Sequence, residues 1–159
     1  MFYHIIWTTY GTWLPGDDRG WMRHGIPAVQ PPDPKLQLVC RARMKEEIVL
    51  LNDAQIEVVA KTISDHCLKR RWTIFAIAVK TNHVHVLVEA DRKGQIVRDQ
   101  LKAWCSRRLS DQAGLKTIQT KTGGRRRWFT ERGYVSQIED EEYFQEAIAY
   151  VENQNESTR

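Results

Sequence analysis

Apolar and polar positions alternate along this chain in a small number of readable blocks. Phe2 to Tyr10 is dense in aromatic and β-branched residues, with Ile5, Ile6, Trp7, Thr8 and Thr9 in succession, and predicts a buried strand that Gly11 ends. From Trp13-Leu14-Pro15-Gly16-Asp17-Asp18 to Pro31-Pro32-Asp33-Pro34 the pattern lapses, and all five prolines fall here, which predicts a long irregular excursion. Asn52 followed by Gln55 reads as a capping box, and Ile56, Val59, Ala60, Ile63 and Cys67 recur at helical spacing, predicting a helix from about Asn52 to Arg71. Trp72 to Val79 and Val84 to Val88 are strand-like runs joined by Lys80-Thr81-Asn82, a connection short enough for antiparallel neighbours. Gln95 to Asp111 is amphipathic, with Val97, Leu101, Trp104, Cys105 and Leu109 on one face. Gly114 to Gly124 reads as loop and Arg127 to Ile138 as a strand broken at Gly133. Asp140 to about Gln154 reads as a terminal helix with Phe144, Ala147, Ile148 and Val151 inward.

Strand, helix, strand, strand, helix, strand and an added helix is the split βαβ order, so the fold class expected is α+β, a ferredoxin-like (RRM-like) antiparallel sheet. Residues 1–159 are expected to form one domain, since no repeat and no Ser/Gly-rich linker divides them. With the helices on one face of the sheet, the other face is expected to stand open as a docking platform for single-stranded nucleic acid.

Composition narrows the class. No apolar run approaches the roughly 20 residues of a bilayer span, and Met1-Phe2-Tyr3-His4 lacks the basic start and apolar stretch of a signal peptide, so a cytoplasmic protein is expected. Cys40, Cys67 and Cys105 lack CxxC spacing and read as reduced core thiols. The formal net charge is +4, but Arg92 to Tyr134 alone holds 12 Lys/Arg against 3 Asp/Glu and leaves the rest of the chain net negative. Such segregation suits phosphate contact as well as a solvated basic surface. In the proline-rich excursion Trp13, Trp21 and Arg19 suit base stacking or phosphate contact, or an anchoring of the loop to the core.

The sharpest local feature is Asn82-His83-Val84-His85-Val86-Leu87-Val88-Glu89. Strand alternation places His83, His85, Leu87 and Glu89 on one face and the valines on the other, so that two imidazoles project together and could share a divalent ion, or serve as ordinary strand residues. On the terminal helix Tyr150 and Gln154 are one turn apart and address the same space. Tyr150 lies towards the edge of the apolar stripe, where it either keeps its hydroxyl accessible or packs as a core tyrosine; Glu146 lies one turn earlier.

A strand-borne His-x-His together with a helical Tyr and an amide four residues later resembles the HUH single-strand DNA transposases, specifically the single-tyrosine, REP-associated tyrosine transposase group. The resemblance extends through Ile5-Ile6-Trp7-Thr8-Thr9-Tyr10-Gly11-Thr12-Trp13-Leu14-Pro15-Gly16-Asp17, the central Asn82-His83-Val84-His85-Val86, and Trp128 by way of Gly133-Tyr134 to Tyr150-Val151, in order and spacing over nearly the whole chain. Two departures stand out: Asn153-Gln154-Asn155 follows where many relatives carry Asn-Pro, and the chain stops at Arg159, which suggests a missing accessory tail. The first leaves the third metal ligand open between Gln154 and Asn153.

The resemblance implies that His83, His85 and Gln154 hold Mg²⁺ or Mn²⁺ against the scissile phosphate of single-stranded or hairpin DNA, while Tyr150 attacks to form a 5′-phosphotyrosine. Arg107, Arg108, Arg125, Arg126 and Arg127 would contact the DNA backbone and Trp128 would offer a stacking surface. Related enzymes include monomers and homodimers, and in dimers the tyrosine can serve the partner's site. The alternative from another class is a non-catalytic RRM-like single-strand nucleic-acid-binding module with Tyr150 in the core. A zinc hydrolase ranks last, because no further His, Asp or Glu stands at ligand spacing.

Overall fold

The structure, a computed structural model, describes residues 1–114 and 126–156. Its organising element is β1 (Phe2–Thr8), whose alternate side chains feed two different layers. Tyr3, Ile5 and Trp7 point into the main core, where Ile5 and Trp7 are sealed. Phe2, His4, Ile6 and Thr8 take the opposite side, as the period of two requires.

Before the chain returns to this sheet it forms a small ribbon, β2 (Trp21–Arg23) with β3 (Ile26–Gln30), and a helix, α1 (Pro34–Ala42). The excursion expected to be irregular thus contains two strands, and α1 follows from its last proline. Asp33 accepts a hydrogen bond from the Leu36 amide and Pro34 starts the helix, a pairing that suits the first turn because proline has no amide to satisfy. Neither structure has the apolar stripe that would reveal it: α1 buries no residue, and the ribbon is exposed almost throughout.

α2 (Asp53–Arg70) begins at the predicted capping box, where the Asn52 side chain accepts from the Gln55 amide and the Gln55 side chain accepts from the Asn52 amide. Arg71 ends it in the left-handed conformation at φ 60°. β4 (Thr73–Val79) and β5 (His83–Glu89) form the predicted hairpin, α3 (Gly94–Gln112) follows, then β6 (Tyr134–Ile138) and α4 (Glu141–Glu156). The sheet order is β4-β5-β1-β6, antiparallel throughout. This is the ferredoxin-like arrangement expected.

α2 and α3 seal one face over Ile5, Trp7, Val84, Val86, Val88, Val97 and Leu101. The other face is not left open along its whole width. α4 lies on it, packing Ala147 and Val151 against Ala76, Ala78, Leu87 and Ile138. A register shift between Ile74 and Ala76 accommodates Phe75 as an extra residue in β4. Its ring meets Phe144 at 5.0 Å and Phe2 at 5.7 Å, and so pins the start of α4. The amphipathic stripe of α4 is therefore what shortens the expected platform, confining it to the β1/β6 side.

Two of the three cysteines are core thiols as expected: burial pushes the Cys67 thiol up to about 12 and the Cys105 thiol higher still. Cys40, on the exposed helix α1, is only half-buried and is not part of the core. Among the described residues no helix is long and apolar enough to cross a membrane.

Candidate active site

The α4-side surface of β5 carries His83, His85 and Leu87, while Val84, Val86 and Val88 are fully buried in the main core. Register places His85 opposite Ile6 and His83 opposite Thr8 on β1. α4 then crosses this face so that Tyr150 and Gln154, one turn apart, come down beside the histidines. The His83 and His85 rings lie 5.0 Å apart between centroids, and the Tyr150 ring is 5.6 Å from His85. Tyr150 is 52% exposed, which removes the core-tyrosine alternative. Gln154 hydrogen-bonds His83.

The far end of α4 is tied to the same hairpin that carries the histidines. Lys80 Nζ donates to the Gln154 carbonyl and Asn155 Nδ2 donates to the Ile77 carbonyl at 3.0 Å. Helix and hairpin thus hold the phenol, the amide and the two imidazoles as one unit within a single chain.

Sequence reasoning missed His4. It lies on β1 beside the pair, its Nε2 hydrogen-bonded to His85 Nδ1 at 3.2 Å and its ring 6.3 Å from that of Tyr150. The signal was present in the alternation of β1, which puts His4 on the same side as Ile6, but it needed the β1–β5 register to be useful. His83 Nδ1 lies 2.6 Å from Asn82 Oδ1. Each imidazole of the pair therefore has Nδ1 engaged, and His83 hydrogen-bonds Gln154 as well. Burial, reinforced by the neighbouring imidazoles and by Lys80, holds His85 down to about 3. Burial lowers His4 and His83 as well. All three rings are neutral at physiological pH, the form that donates a lone pair to a cation.

The basic residues distribute differently from expectation. Arg107 and Arg108 are exposed on α3, in the layer behind the sheet, and the structure does not bring them to the histidine face. Arg107 lies over the Trp104 ring at 4.8 Å. Arg126 and Arg127 are exposed beyond the end of β1, next to Trp128, whose carbonyl accepts from the Tyr10 amide. Arg125 lies outside the described residues. Trp128 has no face open to a base: it is 2% exposed in the main core, its indole N–H donates to Ser110 Oγ, and the Arg126 guanidinium lies 4.5 Å over its ring. An indole carries more apolar area than most side chains, and once its single donor has a partner, burial is its favoured state. Glu146 is exposed on α4. Among the described residues no three His, Cys, Asp or Glu side chains cluster tightly enough to hold a metal ion, so the donor set on offer is two imidazoles and an amide.

The fold thus presents a His-x-His pair to a helical tyrosine, a combination whose use the fold alone does not assign. Residues 33–154 match the family model described as "Transposase IS200 like", and the chain belongs to that family, whose enzymes cleave and rejoin DNA. The fold is shared with the crystal structure of a candidate transposase from Deinococcus radiodurans R1, at a TM-score of 0.53 and 17% identity over 97% of this chain and 90% of that one. It is shared also with a REP-associated tyrosine transposase bound to a REP hairpin, at a TM-score of 0.51 and 12% identity over 94% of this chain. This chain spans 63% of that second structure's length. No curated protein matches.

Proposed function

We propose that this transposase-family protein cleaves and rejoins single-stranded DNA beside a hairpin, with Tyr150 as the covalent nucleophile acting in the same chain as its histidines. The observation that carries the reading is the convergence of Tyr150 and Gln154 from α4 on His83 and His85 from β5. The hairpin as substrate follows the relative solved with a REP hairpin.

The Tyr150 oxygen attacks the scissile phosphorus in line, forming the tyrosyl O–P bond as the P–O3′ bond breaks. The phenol proton leaves to solvent or a neighbouring base, and the departing 3′ oxygen takes up a proton. Attack by a 3′-hydroxyl on the 5′-phosphotyrosine reverses these steps and rejoins the strand. Because the ester energy is kept in the phosphotyrosine, no nucleotide cofactor is consumed.

The donors fit a divalent ion: two neutral imidazoles and the Gln154 amide, already in hydrogen-bonding reach of His83. His83, His85 and Gln154 would hold Mg²⁺ or Mn²⁺, with His4 fixing the orientation of His85. Held there, the ion would supply Lewis acidity to the scissile phosphate. The chain itself provides the rest. Half-exposure of Tyr150 leaves its oxygen accessible to a phosphate, and Lys80 holds the end of the helix that presents it.

The test is a labelled hairpin oligonucleotide with unpaired flanks, incubated with protein and Mn²⁺ and resolved under denaturing conditions. A covalent protein–DNA adduct is expected, abolished by Tyr150→Phe and by EDTA. An adduct that survives Tyr150→Phe assigns the nucleophile elsewhere. Hairpin binding with no adduct under any metal leaves the non-catalytic binding module as the better account.

A further inference from the structure

The helical layer behind the sheet has a chemistry of its own. Where α2 and α3 meet over the sheet their contact is apolar, with Val59, Ile63 and Cys67 packed in one cluster with Leu101, Cys105 and Leu109. One step outward the seam turns polar. Thr62, Asp65, His66 and Lys69 lie at helical spacing along α2, and Gln100, Trp104 and Arg108 follow at successive turns of α3. Between the two rows is a cavity of about 90 Å³, lined by Thr62, Asp65, His66, Lys69, Trp104 and Arg108. It lies on the other side of the sheet from His83, His85 and Tyr150.

His66 sets the character of this cavity. It is 7% exposed, and its ring lies between two indoles, 5.6 Å from Trp72 and 5.9 Å from Trp104. A polar ring so deeply buried needs partners. Nε2 has one in Gln100 Oε1, at 3.1 Å. An amide oxygen only accepts, so Nε2 carries the ring proton, and burial lowers the pKa of the ring and favours its neutral form. Nδ1 therefore offers a lone pair, and no group among the described residues donates to it.

The rest of the lining is charged. Lys69 and Arg108 are exposed at the rim, and Arg70 acts on His66 electrostatically from the next position along α2. The one acid in the lining, Asp65, is bonded by Lys61 at 2.8 Å, which together with Arg108 holds its carboxyl below the usual value. Arg107 already lies over the Trp104 ring, so that face of the indole is not open to a base. What remains is a pair of cations beside a neutral nitrogen that can only accept. A sulfate or a carboxylate satisfies the cations alone. A tetrahedral oxyanion that keeps a proton, with P–OH beside P–O⁻, satisfies both.

We propose that the α2/α3 seam binds a phosphoryl group that retains a proton, its hydroxyl donating to His66 Nδ1 and its anionic oxygens held by Lys69 and Arg108. Two sources carry that group: free hydrogen phosphate, and the terminal phosphomonoester of a nucleotide or of a strand end. No bond is made or broken. The ligand touches both helices, so an occupied seam ties α2 to α3 and stabilises the fold by mass action. The site uses no residue of the strand-transfer machinery and stands or falls separately from it.

The experiment uses full-length protein without divalent metal near pH 6, where a phosphomonoester keeps its second proton in about half of its molecules. The protein is titrated with sodium phosphate, with sodium sulfate at matched ionic strength, and with a short oligonucleotide bearing or lacking a 5′-phosphate, while the thermal midpoint and the histidine imidazole resonances are followed. Phosphate is expected to raise the midpoint and to shift the His66 resonances while those of His83 and His85 stay in place. Sulfate is expected to bind about tenfold more weakly, having no proton to donate. Lys69→Met and Arg108→Met, both at exposed positions that spare the core, should each weaken phosphate binding by about tenfold. Tighter binding of the oligonucleotide on 5′-phosphorylation assigns a strand end as the source, and phosphate binding without that gain assigns the free ion. Absence of phosphate binding, sulfate binding equal to phosphate, or a phosphate response indifferent to both substitutions overturns the proposal.

Discussion

The two faces of the central sheet are made by the same strands and have opposite fates. Towards α2 and α3 every residue of the Val84-Val86-Val88 row is sealed, together with Ile5. Towards α4 the same strands present His83, His85 and His4, and the helix covering them brings a half-exposed phenol. A period of two thus separates the stabilising surface from the reactive one by a single residue step. The cost of placing polar groups on the second face is met by mutual hydrogen bonding and by neutrality. His4 and His85 share one bond, Asn82 engages His83, and burial keeps the rings uncharged.

This division can be broken most severely on the reactive side. His85→Ala is expected to lower the rate of adduct formation by at least about a hundredfold, and His4→Leu by about 10- to 100-fold, because His4 only orients its neighbour. Both should leave the thermal midpoint within a few degrees of wild type. Gel-resolved adduct time courses across a Mn²⁺ titration check this, and an equal loss from the two variants would make His4 more than a positioning residue. The sealed face should show the converse. Val86→Ala removes two methyl groups from a fully buried site and is expected to cost about 2 kcal/mol, a drop of about 4–8 °C in thermal midpoint, with the adduct rate at low temperature nearly unchanged.

A smaller effect lies outside both faces, in the loop that precedes the ribbon. The Arg19 guanidinium holds Asp17 at about 2, below the ordinary carboxylate value near 4. A carboxyl with a depressed native pKa stabilises the fold above its unfolded pKa and loses that contribution as pH falls through the native one. Stability supplied by this pair should therefore be complete above about pH 4 and vanish between about pH 4 and 2. Asp17→Asn should flatten that part of the midpoint-against-pH curve by a modest amount, Arg19 being half-exposed.

What could be read in the sequence and what could not divides along physical lines. The capping box at Asn52, the valines of β5 and the Phe144-Ala147-Ile148-Val151 stripe all report burial through periodicity, and each element lies within a few residues of where that periodicity puts it. The ribbon and α1 bury almost nothing and so leave no such trace; only Asp33-Pro34 marked a helix start. Trp128 follows a run of arginines and Arg126 does lie over its ring, but the indole is turned into the core, and which way a side chain on an irregular segment faces is set by tertiary packing. His83, His85, Tyr150 and Gln154 were recognisable as chemistry-bearing residues from their spacing within single elements. His4, the seam cavity and the separation of Arg107 and Arg108 from the histidine face depend on which strands pair and which helix lies where, and that is fixed by tertiary packing.

The histidine site draws on positions 4, 83, 85, 150 and 154, which lie on three separate elements, β1, β5 and α4. The α2/α3 core contains no residue of α4, which packs in a separate cluster on the opposite face and from there brings the phenol and the amide to the histidines. Loosening that helix alone would part the phenol and the amide from the imidazoles while leaving the main core in place.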